Sequence, residues 1–235
     1  MNKTVLVTGT SQGLGLAFCK ELISRGYKVI ALDLKRSNEL LALEGDMLQF
    51  VECDISDLES VKRAGKSADA ETLDYIINNA GVWLEKRKPL DDADFEQEYD
   101  AMRKMFEVNS LGVLRIVREF MPRLLKGKSK KVLNVSSEAG SIGSCWRKSE
   151  YGYCMSKAAQ NMATKIMSNA YKADGVKFYA VHPGWLISPM GFASATDVDV
   201  PGDKPEYSAR VFVDLLEGEN KEGIYYDFHG NEMPW

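Results

Sequence analysis

Histidine and cysteine are scarce in this 235-residue sequence, which contains two histidines and four cysteines. The cysteines form no C-x-x-C pair, and neither histidine lies close to any of them along the chain. This distribution argues against a zinc site and a disulfide framework, because both need such residues at suitable spacing. We therefore expect the chain to work without a metal.

Long apolar runs and a strong excess of one charge are also missing. No stretch of about twenty apolar residues is present, and the amino terminus leads into a short apolar strand without a signal-peptide core, which predicts a cytoplasmic protein with no membrane segment. A net charge of −4 argues against general binding to nucleic acid. The composition is that of an ordinary globular protein and no linker divides it, so we expect one domain over residues 1–235.

Strand-like and helix-like segments alternate along the chain, as in β-α-β units. Predicted strands cover residues 5–7, 28–33, 48–53, 73–77, 131–135, 176–182 and 223–228. Predicted helices cover residues 16–25, 38–43, 57–68, 95–125, 151–172 and 205–217, and residues 185–203 form a long loop of the kind that often covers a site. The pattern predicts an α/β fold, a Rossmann-type doubly wound parallel sheet of about seven strands.

A glycine-rich turn joins the first predicted strand to the first helix. Free backbone N–H groups at a helix start, together with the positive end of the helix dipole, bind anions such as a pyrophosphate. Gly9 suits the sharp turn, Gly13 the close approach, and Gly15 the packing of helix against strand. The spacing differs from the common G-x-G-x-x-G pattern, and three glycines can also make a simple tight turn. The residues predicted to bind a dinucleotide here are Gly9, Ser11, Gln12, Gly13, Leu14 and Gly15.

Asp33 ends the second predicted strand, twenty positions after Gly13. At this separation a carboxylate can accept hydrogen bonds from the ribose hydroxyls of a bound adenosine, although aspartate is also common as a simple turn cap. The carboxylate would repel a 2′-phosphate, whereas the neighbouring Lys35 and Arg36 would attract one. We therefore favour NAD over NADP as the cofactor.

Polar residues also follow later strands. Asn79, Ala80 and Gly81 come soon after the fourth strand, at the edge of a parallel sheet where ligands gather. Asn109 lies within the apolar face of the long helical segment, where a buried amide needs hydrogen-bond partners. It marks either a structural position, a kink or a satisfied core amide, or a functional one.

Tyr153 and Lys157 are four residues apart on a predicted helix, which places them on one face. A lysine ammonium about 4 Å from a phenol, at an effective dielectric of about 20, favours the phenolate by roughly 4 kcal/mol, or about three pKa units. The pair therefore predicts a Tyr153 pKa low enough for general acid–base catalysis. Ser137, at the end of the fifth strand, can hydrogen-bond the same substrate oxygen. Taken alone, this spacing often occurs by chance on a solvated helix face.

Together these features resemble the short-chain dehydrogenase/reductase family, in its single-domain branch. The resemblance covers nearly the whole chain and is carried by Thr8-Gly-x-x-x-Gly-x-Gly15, Asn78-Asn-Ala-Gly81, Asn109, Ser137, Tyr153-x-x-x-Lys157 and Pro183-Gly184. It implies that Tyr153 donates or accepts a proton, and that Lys157 lowers the pKa of Tyr153 and holds the nicotinamide ribose. It further implies that Ser137 orients the carbonyl and that Asn109 holds a water in a proton relay.

The same resemblance implies the remaining contacts to a dinucleotide. Asp54 and Ile55 would contact the adenine, and the segment from Asn79 to Gly81 the adenosine side. The residues implied around the nicotinamide are Pro183, Gly184, Leu186 and Ser188. The partners implied are a small-molecule carbonyl or alcohol substrate and further copies of the chain, in a homodimer or homotetramer formed through the helices that start near residues 95 and 151.

An insertion narrows the resemblance. The interval between Ser137 and Tyr153 is longer than usual in the family, and it contains Trp146 and Arg147. With His182-Pro-Gly-Trp185 and an aromatic-rich end, this makes the chain similar to the C-factor and sniffer-like carbonyl reductases. The expected walls of a partly apolar substrate pocket are Trp83, Trp146, Trp185 and Met190.

The predicted activity is a reversible NAD(P)-dependent carbonyl/alcohol oxidoreductase. The alternative is a non-enzymatic dinucleotide sensor of the same fold, although a sensor has no need of Ser137, Tyr153 and Lys157 together. A sugar-nucleotide epimerase would need a larger carboxyl-terminal domain than the segment after Lys157 provides. An enoyl reductase places its tyrosine seven residues before the lysine, where this chain has Glu150.

Overall fold

One parallel sheet organises the protein. The computed structural model describes residues 3–195, 200–218 and 224–235, and within these ranges the sheet has seven strands in the order β3-β2-β1-β4-β5-β6-β7. The strands are β1 (Thr4–Thr8), β2 (Lys28–Asp33), β3 (Leu48–Glu52), β4 (Tyr75–Asn78), β5 (Lys131–Val135), β6 (Lys177–His182) and β7 (Tyr225–Asp227). Strand order reverses between β1 and β4, which opens a crevice at their carboxyl ends.

Helices cover both faces of the sheet. They are α1 (Gly13–Ser24), α2 (Asn38–Leu41), α3 (Leu58–Ser67), α4 (Tyr99–Phe106), α5 (Val113–Lys126), α6 (Tyr151–Ala170), α7 (Pro189–Ala193) and α8 (Pro205–Glu217). Phe18 of α1 and Phe212 of α8 belong to the apolar core on one face, while Val61 of α3 and Phe120 of α5 belong to the core on the other. Because the central strands are buried on both faces, their sequences are continuous apolar runs rather than alternating ones.

The fold class predicted from the sequence is confirmed, and the element bounds agree within a few residues. The long helical segment predicted at 95–125 is divided: a short 3₁₀ helix, Phe95–Glu98, precedes α4, and a wide π-helical turn, Glu107–Gly112, separates α4 from α5. In the predicted loop 185–203 the structure places α7, while residues 196–199 lie outside the described residues. Residue 223 of the last predicted strand also lies outside them.

Among residues 3–195, 200–218 and 224–235, no helix is long and apolar enough to cross a membrane.

Candidate active site

A cavity of about 330 Å³ lies over the carboxyl ends of β1, β2 and β4. The predicted cofactor-binding residues that line it are Gly9, Gln12, Gly13, Leu14, Asp33, Asp54, Ile55, Asn79, Ala80, Gly81, Tyr153, Lys157, Pro183, Leu186 and Ser188. Three other predicted residues, Ser11, Gly15 and Gly184, are not in this lining. Most of the set is therefore gathered around one elongated crevice, which suits an extended dinucleotide.

The glycine turn is locked to the loop after β4. Gly9 has a φ of 71°, which favours glycine, and a Cβ on Gly15 would lie 1.9 Å from the Gly9 carbonyl oxygen. The Asn79 amide donates to the carbonyl oxygens of Thr8 and Gly9 at 3.0 and 2.9 Å. The Thr8 hydroxyl accepts from the backbone N–H groups of Asn79 and Ala80 at 3.1 and 3.0 Å. Gly15 thus supports the turn from behind, and Thr8 is a supporting residue that the predicted site did not include.

Asp33, the residue predicted to bind a ribose, lines the first cavity. Its two carboxylate oxygens accept from the backbone N–H groups of Ser11 and Leu34 at 2.8 and 2.7 Å. Each oxygen keeps a free lone pair for a further donor. The Arg36 guanidinium pairs with the Glu44 carboxylate at 3.0 Å and lies 5.0 Å from the centre of the Phe50 ring.

The adenine side of the crevice is fixed by local contacts. The Asp54 carboxylate accepts from the backbone N–H and the hydroxyl of Ser56 at 2.8 and 2.6 Å. Ile55 is buried against Gly112 in the π-helical turn, where an added Cβ would lie 2.8 Å from the Ile55 Cδ1 atom. Both residues therefore present fixed surfaces to the cavity.

A second cavity, of about 390 Å³, adjoins the first, and Tyr153 lines both. Ser137 and Gly184 line this second cavity. The four expected wall residues, Trp83, Trp146, Trp185 and Met190, line it as well. Tyr153 is one of six residues that line both cavities, the others being Ser136, Pro183, Leu186, Ser188 and Met190.

Tyr153 and Ser137 form the centre of this junction. Burial raises the pKa of Tyr153 to about 12, against the opposing effect of its side-chain hydrogen bond with Ser137. Ser137 is fixed through its own backbone, because the Tyr225 hydroxyl of β7 donates to the Ser137 carbonyl oxygen at 2.5 Å. The hydroxyl of Tyr153 is therefore protonated at neutral pH.

Lys157 lies over the ring of Tyr153. The Lys157 Nζ atom is 5.9 Å from the ring centre, and it donates to the Val135 carbonyl oxygen at 2.8 Å and to the Gln160 Oε1 atom at 3.1 Å. Burial lowers the pKa of Lys157 to about 7. The sequence-based expectation of a lowered Tyr153 pKa is thus not met in the structure, because burial outweighs the attraction of an ammonium that is bound to other acceptors.

Asn109 lies in the π-helical turn and is fully buried. Its amide oxygen accepts from the Val82 N–H at 2.8 Å, and its amide nitrogen donates to the Val82 carbonyl at 2.9 Å and the Ser156 hydroxyl at 3.0 Å. The structural alternative predicted for Asn109 combined a helix distortion and an amide with satisfied hydrogen bonds, and both are present. A water relay would have to use the remaining lone pair of the amide oxygen or the main-chain carbonyl, and this role stays a prediction.

Glu85 is a supporting residue that sequence reasoning missed. Its buried carboxylate accepts from the backbone N–H groups of Gly152 and Tyr153, at 3.0 and 2.7 Å, and so caps the start of α6. Burial raises the pKa of Glu85, while these two hydrogen bonds act in the opposite direction. No local pattern could have revealed this contact, because the partners are 67 and 68 positions apart.

Four of the five charged residues in the wall of the second cavity, Arg87, Glu138, Arg147 and Glu150, are paired with one another, and Lys148 is the fifth. Arg147 contacts the carboxylates of Glu138 and Glu150 at 2.6 and 2.5 Å, and Arg87 contacts Glu150 at 2.7 Å. The Arg147 guanidinium also lies 4.9 Å from the centre of the Trp146 ring. The inserted segment therefore contributes an aromatic surface and a neutralised ion-pair network to the cavity.

Comparisons with known proteins agree with this geometry. The sequence profile of the short chain dehydrogenases matches residues 3–198. C-signal from Myxococcus xanthus is 36% identical over 168 residues, covering 69% of this chain and 93% of that protein. The 1-hydroxy-2-glutathionyl-2-methyl-3-butene dehydrogenase of Rhodococcus sp. (strain AD45) is 32% identical over 243 residues, 99% of each chain. The crystal structure of NADPH-bound carbonyl reductase from chicken fatty liver matches with a TM-score of 0.84 at 26% identity, covering 100% of this chain and 99% of that one.

Proposed function

The chain belongs to the short-chain dehydrogenase family and is an NAD(P)-dependent oxidoreductase, and we propose that within this class it interconverts a carbonyl and a secondary alcohol. One observation carries the proposal: Tyr153 lines both the first cavity and the adjoining second cavity, and Ser137 lines the second cavity with it. The name of the Rhodococcus relative, a dehydrogenase of a 1-hydroxy compound, supports alcohol oxidation in general, although the hydroxyl of that compound is on a terminal carbon and is therefore a primary alcohol.

The residues of the first cavity fit a nicotinamide dinucleotide, which supplies the hydride when bound. Backbone N–H groups at the start of α1 would hold the pyrophosphate, and the Asp33 carboxylate a ribose. Lys157, Pro183 and Ser188 would hold the nicotinamide half. Asn109 would contribute to a proton relay only through the acceptor positions that its structural hydrogen bonds leave free.

Tyr153 would act first as a proton donor. A hydroxyl with a pKa of about 12 is protonated at neutral pH, so it can donate to a carbonyl oxygen without prior ionisation. Ser137 would donate a second hydrogen bond to the same oxygen and so position it. The Lys157 ammonium, over the ring, would stabilise the negative charge that Tyr153 gains when it gives up its proton.

Replacing Tyr153 with phenylalanine tests the catalytic assignment. We expect turnover to fall by roughly 10²-fold or more, because the proton donor is lost, while dinucleotide affinity changes little. Tyr151→Phe is the matched control: Tyr151 lies in the same helical turn and packs edge-on against Phe95 at 5.6 Å between ring centres. Undiminished turnover in Tyr153→Phe would refute the assignment. Dinucleotide binding by wild type with no turnover over a broad carbonyl panel would instead favour the sensor alternative.

We propose NAD as the preferred cofactor. The support is the Asp33 carboxylate in the lining of the first cavity, which would repel a 2′-phosphate, and the pairing of Arg36 with Glu44. The chicken relative binds NADPH, so the preference has to be measured in this chain. Fluorescence titration should give tighter binding of NADH than of NADPH, and Asp33→Ser should narrow the difference. Tighter binding of NADPH by wild type would contradict the proposal.

The substrate is proposed to be a bulky apolar carbonyl compound. Three tryptophans line the second cavity, and four of the five charged side chains in its wall, those of Arg87, Glu138, Arg147 and Glu150, compensate one another's charge, which leaves Lys148 as the remaining cation. A panel of neutral and carboxylated ketones of equal size would test this, with the neutral members expected to have the higher kcat/KM. Equal or better turnover of the carboxylated members would contradict it.

A homodimer or homotetramer of one-domain subunits is proposed as the assembly. Exposed apolar side chains on the surface of the 107–112 turn, α5 and α6 support it, namely Leu111, Leu114, Met155, Met162 and Ile166. Sedimentation velocity should show a species of at least two chains that Met162→Lys weakens. A monomer at micromolar concentration would contradict this.

A further inference from the structure

The ammonium of Lys157 occupies a buried position with two neutral acceptors. Lys157 is 3% exposed and Gln160 is 1% exposed. The ammonium donates to the Val135 carbonyl oxygen at 2.8 Å and to the Gln160 Oε1 atom at 3.1 Å, and the Gln160 amide nitrogen itself donates to the Val135 carbonyl at 3.4 Å. The three groups form a closed triangle at the carboxyl end of β5, next to the catalytic ring.

Groups from several elements surround this triangle. From α6 the ring of Tyr153 lies 5.9 Å from the Lys157 Nζ atom, and from the loop after β4 a Cβ on Gly81 would lie 3.5 Å from it. The titratable groups at the junction, Glu138 and Arg147, act on Tyr153. Burial is the cause of the lowered Lys157 pKa, and no charged side chain among the described residues offsets it.

A hydrogen bond to an ionised group favours the ionised form. Of the two acceptors, the Val135 carbonyl belongs to the main chain, so Gln160 is the acceptor that a substitution can change. Position 160 is three residues after Lys157 on α6, which puts both side chains on one face of the helix. An apolar residue here would fill the core equally well, but it would leave the ammonium with a single acceptor.

We propose that Gln160 is a positioning residue that keeps the Lys157 side chain protonated and directs its ammonium over the Tyr153 ring. This inference rests on the proposed function of Tyr153 and Lys157, and it extends that function to a residue without contact to the substrate cavity. A glutamine that only filled the core would affect stability without changing the pH at which Lys157 loses its proton.

Two substitutions of Gln160 should act in opposite directions. Gln160→Met keeps the length of the side chain and removes the acceptor, so the alkaline limb of the pH profile of kcat/KM for carbonyl reduction should move down by about one pH unit. Gln160→Glu places a negative charge beside the ammonium, so the same limb should move up. Asn134→Leu is the control, because it removes a buried amide that bonds Asn78 and Thr164 instead of Lys157, and it should leave the limb in place.

A second readout does not depend on turnover. In protein prepared without dinucleotide, the free energy of unfolding should begin to rise at the pH at which native Lys157 loses its proton. Gln160→Met should move this pH down, and Gln160→Glu should move it up. If neither variant displaces the onset or the limb, the role proposed for Gln160 is overturned. If wild type turns over no carbonyl but the onset moves as expected, the proposed function fails while the link between Gln160 and Lys157 stands.

Discussion

Replacing Lys157 with methionine should abolish turnover and, at neutral and acidic pH, stabilise the fold. Burial lowers the pKa of Lys157 from 10.5 to about 7. At 1.36 kcal/mol per unit, keeping this ammonium charged inside the protein costs about 5 kcal/mol relative to the unfolded chain, as an upper estimate. Methionine has a similar length and no charge, so it removes this cost, although the Val135 carbonyl and the Gln160 Oε1 atom then each lose a donor worth about 1 kcal/mol.

The pH dependence gives the sharper test. Above pH 7 the native protein releases the Lys157 proton while the unfolded chain keeps it up to about pH 10.5. The unfolded state therefore binds more protons in this window, so the stability of wild type rises with pH. Between pH 8 and pH 10 wild type should gain about 2 to 3 kcal/mol relative to Lys157→Met, and the advantage of the variant should shrink accordingly.

Urea unfolding at pH 6, 8 and 10, followed by far-ultraviolet circular dichroism, would measure this difference. Lys165→Met is the control, since Lys165 is an exposed lysine on the same helix and its replacement should give no pH-dependent difference. A Lys157→Met variant whose stability relative to wild type is the same at all three pH values would refute the reasoning, because Lys157 would then titrate alike in both states.

Two further outcomes follow from packing. Gly15→Ala should destabilise the protein by several kcal/mol and abolish dinucleotide binding, because the added Cβ would lie 1.9 Å from the Gly9 carbonyl oxygen. Gly202→Ala is the control, since an added Cβ there has nothing within 4 Å, and thermal unfolding and NADH titration should show no effect of it. Trp146→Ala should raise KM for a bulky aromatic ketone by about tenfold, which corresponds to a loss of roughly 1.4 kcal/mol of binding free energy. KM for a small aliphatic ketone should stay unchanged. Equal effects on both ketones would show that Trp146 does not contact the substrate.

Most of the fold could be predicted from the sequence, because parallel strands that are buried on both faces consist of continuous apolar residues. The same holds for the parts of the site that follow strand ends, since the topology brings every carboxyl end to one edge. Asp33, the segment from Asn79 to Gly81, and Ser137 all lie where that rule places them. The tryptophans of the second cavity could be predicted as wall residues because aromatic side chains suit an apolar pocket and because Trp146 lies in the insertion.

Contacts between distant segments and the balance of electrostatic effects could not be predicted. Glu85 caps α6 although its partners, Gly152 and Tyr153, follow it by 67 and 68 positions, and no local sequence pattern indicates this contact. The spacing of Tyr153 and Lys157 placed both on one face, but it could not show that burial would dominate the pKa of Tyr153. The contact of Gln160 with Lys157 could have been predicted, because a polar residue one helical turn after a buried lysine can accept a hydrogen bond from its ammonium.

The hydrogen bond from Tyr225 to the Ser137 carbonyl has a consequence for how the enzyme is made. It joins residues 88 positions apart, so this support of the Ser137 carbonyl, which adds to the local bond from the Gly140 N–H, forms only after β7 has docked on β6. Pairings of such long range form late in folding, because closing a long loop costs entropy before the contact rewards it. During refolding, helical ellipticity should therefore return before activity does, and a chain arrested before β7 docks would be compact yet inert.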